Sequence, residues 1–143
     1  MGRVIIIDDN VVYCDHVSNL LAKEGIETEK IYSLSAAKKA VLSVSDDDII
    51  LSDLRFPDGN GIDLLRYVRE NGRRNPFFIM TDYDEVPTAV RSMKSGADDY
   101  ISKRTLEEEL LPTIRSLLKR KSRSLVKREH ILDRESEAFQ AIN

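Results

Sequence analysis

The sequence predicts an α/β domain built on a doubly wound parallel sheet, and three observations lead there. Five short apolar runs alternate strictly with five longer amphipathic stretches, three of the runs are almost continuously apolar, and the connections are short. A strand that is apolar throughout is covered by helices on both faces, and strict β–α alternation implies parallel strands joined by right-handed crossovers. The chain has 143 residues, 41% of them hydrophobic and 33% charged, which suits one core with residues to spare.

The elements follow in order. Residues 4–7, Val-Ile-Ile-Ile, run straight into Asp8, so this stretch is a first strand; it is too short and too promptly acidic for a signal peptide. Residues 11–23 form a first helix, with Val17, Leu20 and Leu21 at helical spacing and Gly25 closing it at C′. A weaker strand is expected at 29–32, then a helix over 35–44 with Ser33 or Ser35 as N-cap. The third strand is 49–52. The third helix is 62–70, with Ile62, Leu65 and Val68 on one face and Gly72 after it. Strands at 77–80 and 100–102 flank a helix over 86–94. A last helix over 106–120 starts at Thr105, with Glu107 and Glu108 in its first turn. Pro112 lies inside it and should kink it, at a cost of up to ~3 kcal/mol; a tolerated kink is preferred over a bend that aims the segment beyond. The domain ends near Lys119.

Composition excludes several classes. Cys14 is the one cysteine, which rules out an internal disulfide and a cysteine metal site; its apolar neighbours Val11, Val12, Val17 and Leu20 mark it as a core residue rather than a reactive thiol. No apolar run approaches the ~20 residues of a membrane helix, and a cytoplasmic location is expected. The net charge of -3 is neutral on nucleic acid. His16 and His130 have no sequence partners that suggest a phosphorelay histidine or a metal ligand.

Ligands of open α/β sheets bind beyond the carboxyl ends of the strands. There the first strand ends in Asp8-Asp9, the third in Asp53, the fourth in Thr81 and the fifth in Lys103. Three carboxylates in one cleft repel one another and raise each other's pKa unless a hard divalent cation binds them. Asp8 and Asp9 would hold Mg2+, directly or through water, with Asp53 and the backbone carbonyl of Arg55 as further ligands. Asp53 would attack phosphorus as a carboxylate nucleophile. Lys103 would neutralise charge on the transferring group, and the Thr81 hydroxyl would hydrogen-bond to it. Each residue has a structural reading too: Asp8 and Asp9 could cap the first helix, Asp53 could open a turn, and Lys103 could be a solvated strand end. The joint pattern favours chemistry.

These residues resemble the receiver domain of two-component response regulators. The matching pieces are residues 4–9, the run Leu51-Ser-Asp53-Leu-Arg-Phe-Pro-Asp-Gly-Asn-Gly61, Met80-Thr81, and Gly96-Ala-Asp-Asp-Tyr-Ile-Ser-Lys103. The resemblance covers about residues 3–119 and implies a (βα)5 flavodoxin-like fold with strand order 2-1-3-4-5. It further implies a sensor histidine kinase as phosphodonor, slow self-dephosphorylation and no turnover of an external substrate. A switch is implied as well, in which Thr81 moves toward the phosphoryl group and Tyr100 turns inward. The face of the fourth helix, fifth strand and fifth helix would then change partners.

Two residues depart from the family pattern. Arg104 replaces a usual proline, so the Lys103-Arg104 bond is expected to be trans and Lys103 to sit differently. Asp82 replaces a small residue beside Thr81; it either disturbs phosphoryl chemistry or is a solvated loop residue. The wording of residues 53–59 and 81–90 is similar to nitrogen-regulation-type activators, which couple a receiver to an AAA+ ATPase acting on sigma-54 RNA polymerase and to a DNA-binding domain. Residues 115–128 carry seven basic side chains and no acidic one, and 130–142 resembles the opening of such an ATPase domain. The expected organisation is thus a receiver at 1–119 and a linker helix at 120–143 leading to an effector domain absent from this chain, through which alone DNA would be bound. A homodimer is expected through the fourth-helix/fifth-helix face or the tail helix. Competing readings are a free-standing receiver acting as shuttle or sink, and an interaction module independent of phosphorylation. A small-molecule phosphohydrolase is disfavoured, because Arg55 stands where a second carboxylate would serve as general acid.

Overall fold

The structure, a computed structural model, describes residues 2–82 and 86–117. Strands β1 (Val4–Ile7), β2 (Thr28–Ile31), β3 (Ile49–Asp53), β6 (Phe77–Thr81) and β7 (Asp99–Ser102) form one parallel sheet in the order β2-β1-β3-β6-β7. With only the sheet strands counted, this is the expected order 2-1-3-4-5. Helices α1 (Val11–Ala22), α2 (Leu34–Ala40), α3 (Gly61–Glu70) and α4 (Val86–Lys94) fill the crossovers. A 3₁₀ turn, Lys103–Thr105, leads into α5 over 106–117, which is helical on both sides of Pro112. The chain divides into two compact units, Met1–Glu107 and Glu108–Asn143. The first holds the whole sheet. In the second, the described residues 108–117 are helical, with Leu110 and Ile114 buried one turn apart. The predicted linker helix at 120–143 lies outside the described residues.

Strand side chains alternate between the two faces of the sheet. Ile5 and Ile7, Ile50, and Phe77 and Ile79 share one core cluster with Leu34 and Ala37 of α2 and Ile62, Leu64, Leu65 and Val68 of α3. Their neighbours Val4, Ile6, Leu51, Phe78 and Met80 are equally buried on the other face, where α1, packed on β1 and β2, buries Cys14, Val17 and Leu21. Full burial of one such side chain contributes about 1.5–3 kcal/mol, so both faces hold the sheet between helix layers.

Local chemistry sets the element ends. After α1 and α3, Gly25 and Gly72 adopt positive φ (73° and 77°). In each case the following residue bonds back to a carbonyl of the last turn, Ile26 to Leu21 at 3.1 Å and Arg73 to Val68 at 3.2 Å, the Schellman closure that glycine permits. Ser33, not Ser35, caps α2, its hydroxyl accepting the Ala36 N–H at 3.1 Å. That helix stops at Ala40 rather than 44, because the Ser43 N–H and hydroxyl both donate to the Ala40 carbonyl (3.1 and 3.2 Å) and turn the chain away. The last helix is entered differently from expectation. A 3₁₀ turn precedes it: Ser102 caps that turn by accepting the Arg104 N–H (3.3 Å), and the Thr105 hydroxyl donates back to the Ser102 carbonyl (3.5 Å). The hairpin of β4 (Arg55–Phe56) and β5 (Gly59–Asn60) was not anticipated, although Pro57-Asp58-Gly59 is a turn signal.

Candidate functional site

Register decides what meets at the carboxyl edge of the sheet. Ile7 pairs with Ser52, which sets Asp8 level with Asp53 at the ends of adjacent strands. Asp53 pairs with Met80, so Thr81 stands one residue beyond; Thr81 pairs with Ser102, so Lys103 begins where β7 ends. All five residues therefore come to one edge from four strands. Arg55 opens the hairpin two residues past Asp53 and pairs with Asn60. Tyr100, on β7 opposite Ile79, is half-buried and packs against the core cluster.

The ligand oxygens of Asp8, Asp9 and Asp53 all lie within 4.8 Å of one another. Asp8 is completely buried, Asp53 nearly so and Asp9 exposed, so the cluster opens to solvent on one side. Each buried carboxylate is fixed from two directions. One oxygen of Asp8 accepts the Asn10 N–H at 2.9 Å, and the other accepts from Lys103 Nζ at 2.7 Å. Asp53 Oδ1 accepts its neighbour's N–H, Leu54, at 2.8 Å and lies 3.5 Å from Lys103 Nζ. The α1 cap itself is Asn10, whose side chain accepts the Tyr13 N–H at 3.0 Å, so neither Asp8 nor Asp9 is consumed by capping that helix. Gly61, the first residue of α3, donates its N–H to the Leu54 carbonyl at 2.7 Å; a Cβ there would run into the Asp53 carbonyl.

The electrostatics follow from burial and pairing. Asp53 is pushed up to about 6, first by burial and then by the charge of Asp8, against the opposing pull of Lys103 and the Leu54 N–H. Mutual repulsion of the carboxylates, expected from the sequence to raise the pKa, is thus the smaller cause and burial the larger. Burial alone would lower Lys103, but its hydrogen bond to Asp8 and the charges of Asp53, Asp8 and Asp82 outweigh it and hold the ammonium above its ordinary range. The departure at Arg104 does not draw Lys103 away. No cis peptide bond occurs among the described residues, Lys103-Arg104 included, and Lys103 still reaches Asp8 and Asp53. The departure at Asp82 does touch the site, its carboxylate lying 3.9 Å from Lys103 Nζ.

Three carboxylates against one ammonium leave two negative charges among hard oxygen donors, which is the donor set and charge that suit a divalent cation such as Mg2+. One neighbour was not expected from the sequence: Tyr13, whose ring lies under Lys103 Nζ at 4.4 Å from its centroid. Its signal was present: an aromatic in the first turn of a helix that starts at the carboxyl edge of the sheet, where side chains lean back toward the N-terminus.

A five-stranded parallel sheet whose carboxyl edge gathers three aspartates, a threonine and a lysine is the architecture of a signalling receiver. The chain belongs to the response regulator receiver domain family, whose model matches residues 4–115. It is 35% identical over 120 residues to the transcriptional regulatory protein TrcR of Mycobacterium tuberculosis, covering 84% of this chain and 46% of that protein. It is 31% identical over 120 residues to the cell cycle transcriptional regulator CtrA of Caulobacter vibrioides, covering 82% and 51%. The chain thus spans about half the length of these curated relatives. Among solved structures it is similar to a two-component response regulator from Clostridium difficile (TM-score 0.77, 26% identity, covering 85% of this chain and 98% of that one). It is also similar to the beryllofluoride-activated NtrC4 receiver domain dimer (TM-score 0.74, 28% identity, covering 81% and 95%). No helix among the described residues is long and apolar enough to cross a membrane.

Proposed function

We propose that this chain is a phosphorylation switch in which Asp53 accepts a phosphoryl group from a sensor histidine kinase. The observation that carries this is Lys103 held between Asp8 and Asp53 beside a cluster of three carboxylates, at the edge where such sheets bind ligands. Asp53 is fixed through Oδ1 by Leu54 and Lys103, which leaves its second oxygen to form the new bond to phosphorus as the bond to the donor nitrogen breaks. Lys103 neutralises charge gathering on the phosphoryl oxygens, and the Thr81 hydroxyl donates to one of them. Asp8, Asp9, Asp53 and the Arg55 carbonyl would hold Mg2+, which when bound supplies charge neutralisation at the same oxygens. No external substrate is turned over; the product is the modified protein.

The signal leaves the site by the movement of Thr81 toward the phosphoryl group and of Tyr100 inward, two groups on neighbouring strands. The receiver unit is placed at residues 1–119 of a cytoplasmic transcriptional regulator, with the effector domain of the full-length chain, and through it DNA, as its output. Two of its relatives bear transcriptional regulators' names, which supports this. A sigma-54 type effector with an AAA+ ATPase is the finer reading, supported by the wording of 53–59 and 81–90 and by the likeness to the NtrC4 receiver. That neighbour is a dimer, and here the exposed α4 stripe of Val86, Val90 and Met93 supports a homodimer through α4. The reading is tested by intact mass after incubation with acetyl phosphate and Mg2+. One phosphoryl group is expected, lost in chelator and absent in Asp53→Asn. No adduct with any donor, a histidine kinase included, would leave a phosphorylation-independent interaction module as the better account.

A further inference from the structure

Lys103 meets an aromatic ring as well as carboxylates. Its ammonium has Asp8 at 2.7 Å, Asp53 at 3.5 Å and Asp82 at 3.9 Å, and it stands over the Tyr13 ring at 4.4 Å from the centroid. We propose that Tyr13 is a positioning residue for phosphoryl transfer, its ring face holding the Lys103 ammonium against Asp8 and Asp53. This rests on the phosphoacceptor reading of Asp53 and adds to it a residue from α1.

Three features make the ring a fixed wall rather than a chance neighbour. The Tyr13 N–H is the group bonded by the Asn10 cap at 3.0 Å, so its backbone is set by the start of α1. On the same helix, His16 lies with its ring 6.1 Å from that of Tyr13 and is paired with Glu107 at 2.8 Å. Its hydroxyl is buried without a hydrogen-bond partner among the described residues, so no polar contact of its own explains its position. Burial first, and then the charges of Asp8, Asp82 and Asp53, hold that hydroxyl neutral by pushing its pKa well above the ordinary range. The phenol is therefore a neutral ring, and its quadrupole attracts the ammonium most strongly where water is excluded.

The consequence concerns Asp82. This carboxylate is largely solvent-exposed and competes with Asp53 for the same ammonium. With the ring in place, Lys103 is confined to the Asp8–Asp53 side, where a phosphoryl group on Asp53 meets it. Without the ring, the lysine is free to swing toward Asp82 and water, and the transfer loses part of its charge neutralisation.

The test compares wild type with Tyr13→Leu and Tyr13→Phe by the rate of Asp53 phosphorylation from acetyl phosphate at saturating Mg2+. Loss of one such contact predicts a maximal rate about 5- to 30-fold slower in Tyr13→Leu, with the Mg2+ concentration for half-maximal rate unchanged. Tyr13→Phe, which keeps the ring, should restore most of the rate. In the unphosphorylated protein, the ring current should shift the Lys103 ε-proton resonances upfield in wild type and Tyr13→Phe but not in Tyr13→Leu. Tyr13→Met replaces the leucine variant if that one melts early. Equal rates in Tyr13→Leu and wild type, or a Tyr13→Phe as slow as Tyr13→Leu, would overturn the proposal while leaving the phosphoacceptor reading intact. An absent ring-current shift in wild type overturns it through the contact itself. A wild type that forms no adduct sinks the underlying reading, and this inference with it.

Discussion

Asp53→Asn should stabilise the metal-free protein, although it destroys the proposed phosphoacceptor. The carboxyl of Asp53 rises from an ordinary 3.8 to about 6 on folding, mainly because it is buried beside Asp8. The folded protein therefore binds that proton more tightly than the unfolded chain does. Deprotonation then costs stability as the pH climbs from the unfolded value through the folded one, and the whole penalty is present above about pH 6. The gap corresponds to about 3 kcal/mol at 1.36 kcal/mol per tenfold change in proton affinity. Solvent reaching the open side of the cluster reduces the net gain to about 1–2 kcal/mol. Asparagine keeps the acceptor for the Leu54 N–H, so the backbone there need not change. For a domain of this size the gain is a rise of about 4–10 °C in melting temperature. The assay is thermal unfolding followed by circular dichroism in chelator at pH 7.5 and again near pH 4. The variant should be more stable at pH 7.5, and most of its advantage should disappear at the lower pH. Saturating Mg2+ should narrow the difference by stabilising wild type, by about 2.7 kcal/mol at a hundred times Kd. A variant no more stable than wild type at pH 7.5 in chelator, or equally advantaged at both pH values, would refute the burial argument.

Other perturbations probe the frame around the site. Gly61→Ala sets a methyl against the Asp53 carbonyl and should cost about 1–3 kcal/mol in urea unfolding, with slower adduct formation on Asp53; an unchanged midpoint would show that α3 can retreat freely. Asn10→Ala removes the acceptor for the Tyr13 N–H and should cost about 1 kcal/mol, read from the same unfolding curve. Val90→Asp charges the exposed α4 stripe and should abolish the proposed α4 dimer, sought by sedimentation velocity with beryllofluoride as phosphoryl mimic. A wild type that stays monomeric with and without the mimic at high concentration would sink the dimer reading.

The order of elements was legible in the sequence, because strand and helix periods differ and covered strands are apolar on both faces. Val4–Ile7, Ile49–Asp53 and Phe77–Thr81 stand out for that reason. The ends were less legible where short polar side chains decide them locally: Ser43 stopped α2 early, and Ser102 caps a 3₁₀ turn inserted ahead of α5. The residues at the strand ends could be named from position alone, since a parallel sheet presents all its carboxyl ends at one edge. What that edge does to them belongs to tertiary structure. Only register sets Asp8 level with Asp53 and brings Lys103 within 2.7 Å of a carboxylate 95 positions away in the chain. Burial, which no spacing reports, outranks charge repulsion in raising Asp53. The Tyr13 ring beneath Lys103 and the Asp82 carboxylate beside it are likewise products of folding. Chain order dictates which side chains a strand or helix carries, but the strength of a charge depends on how much water surrounds it and what stands opposite, and those are settled only when the layers close.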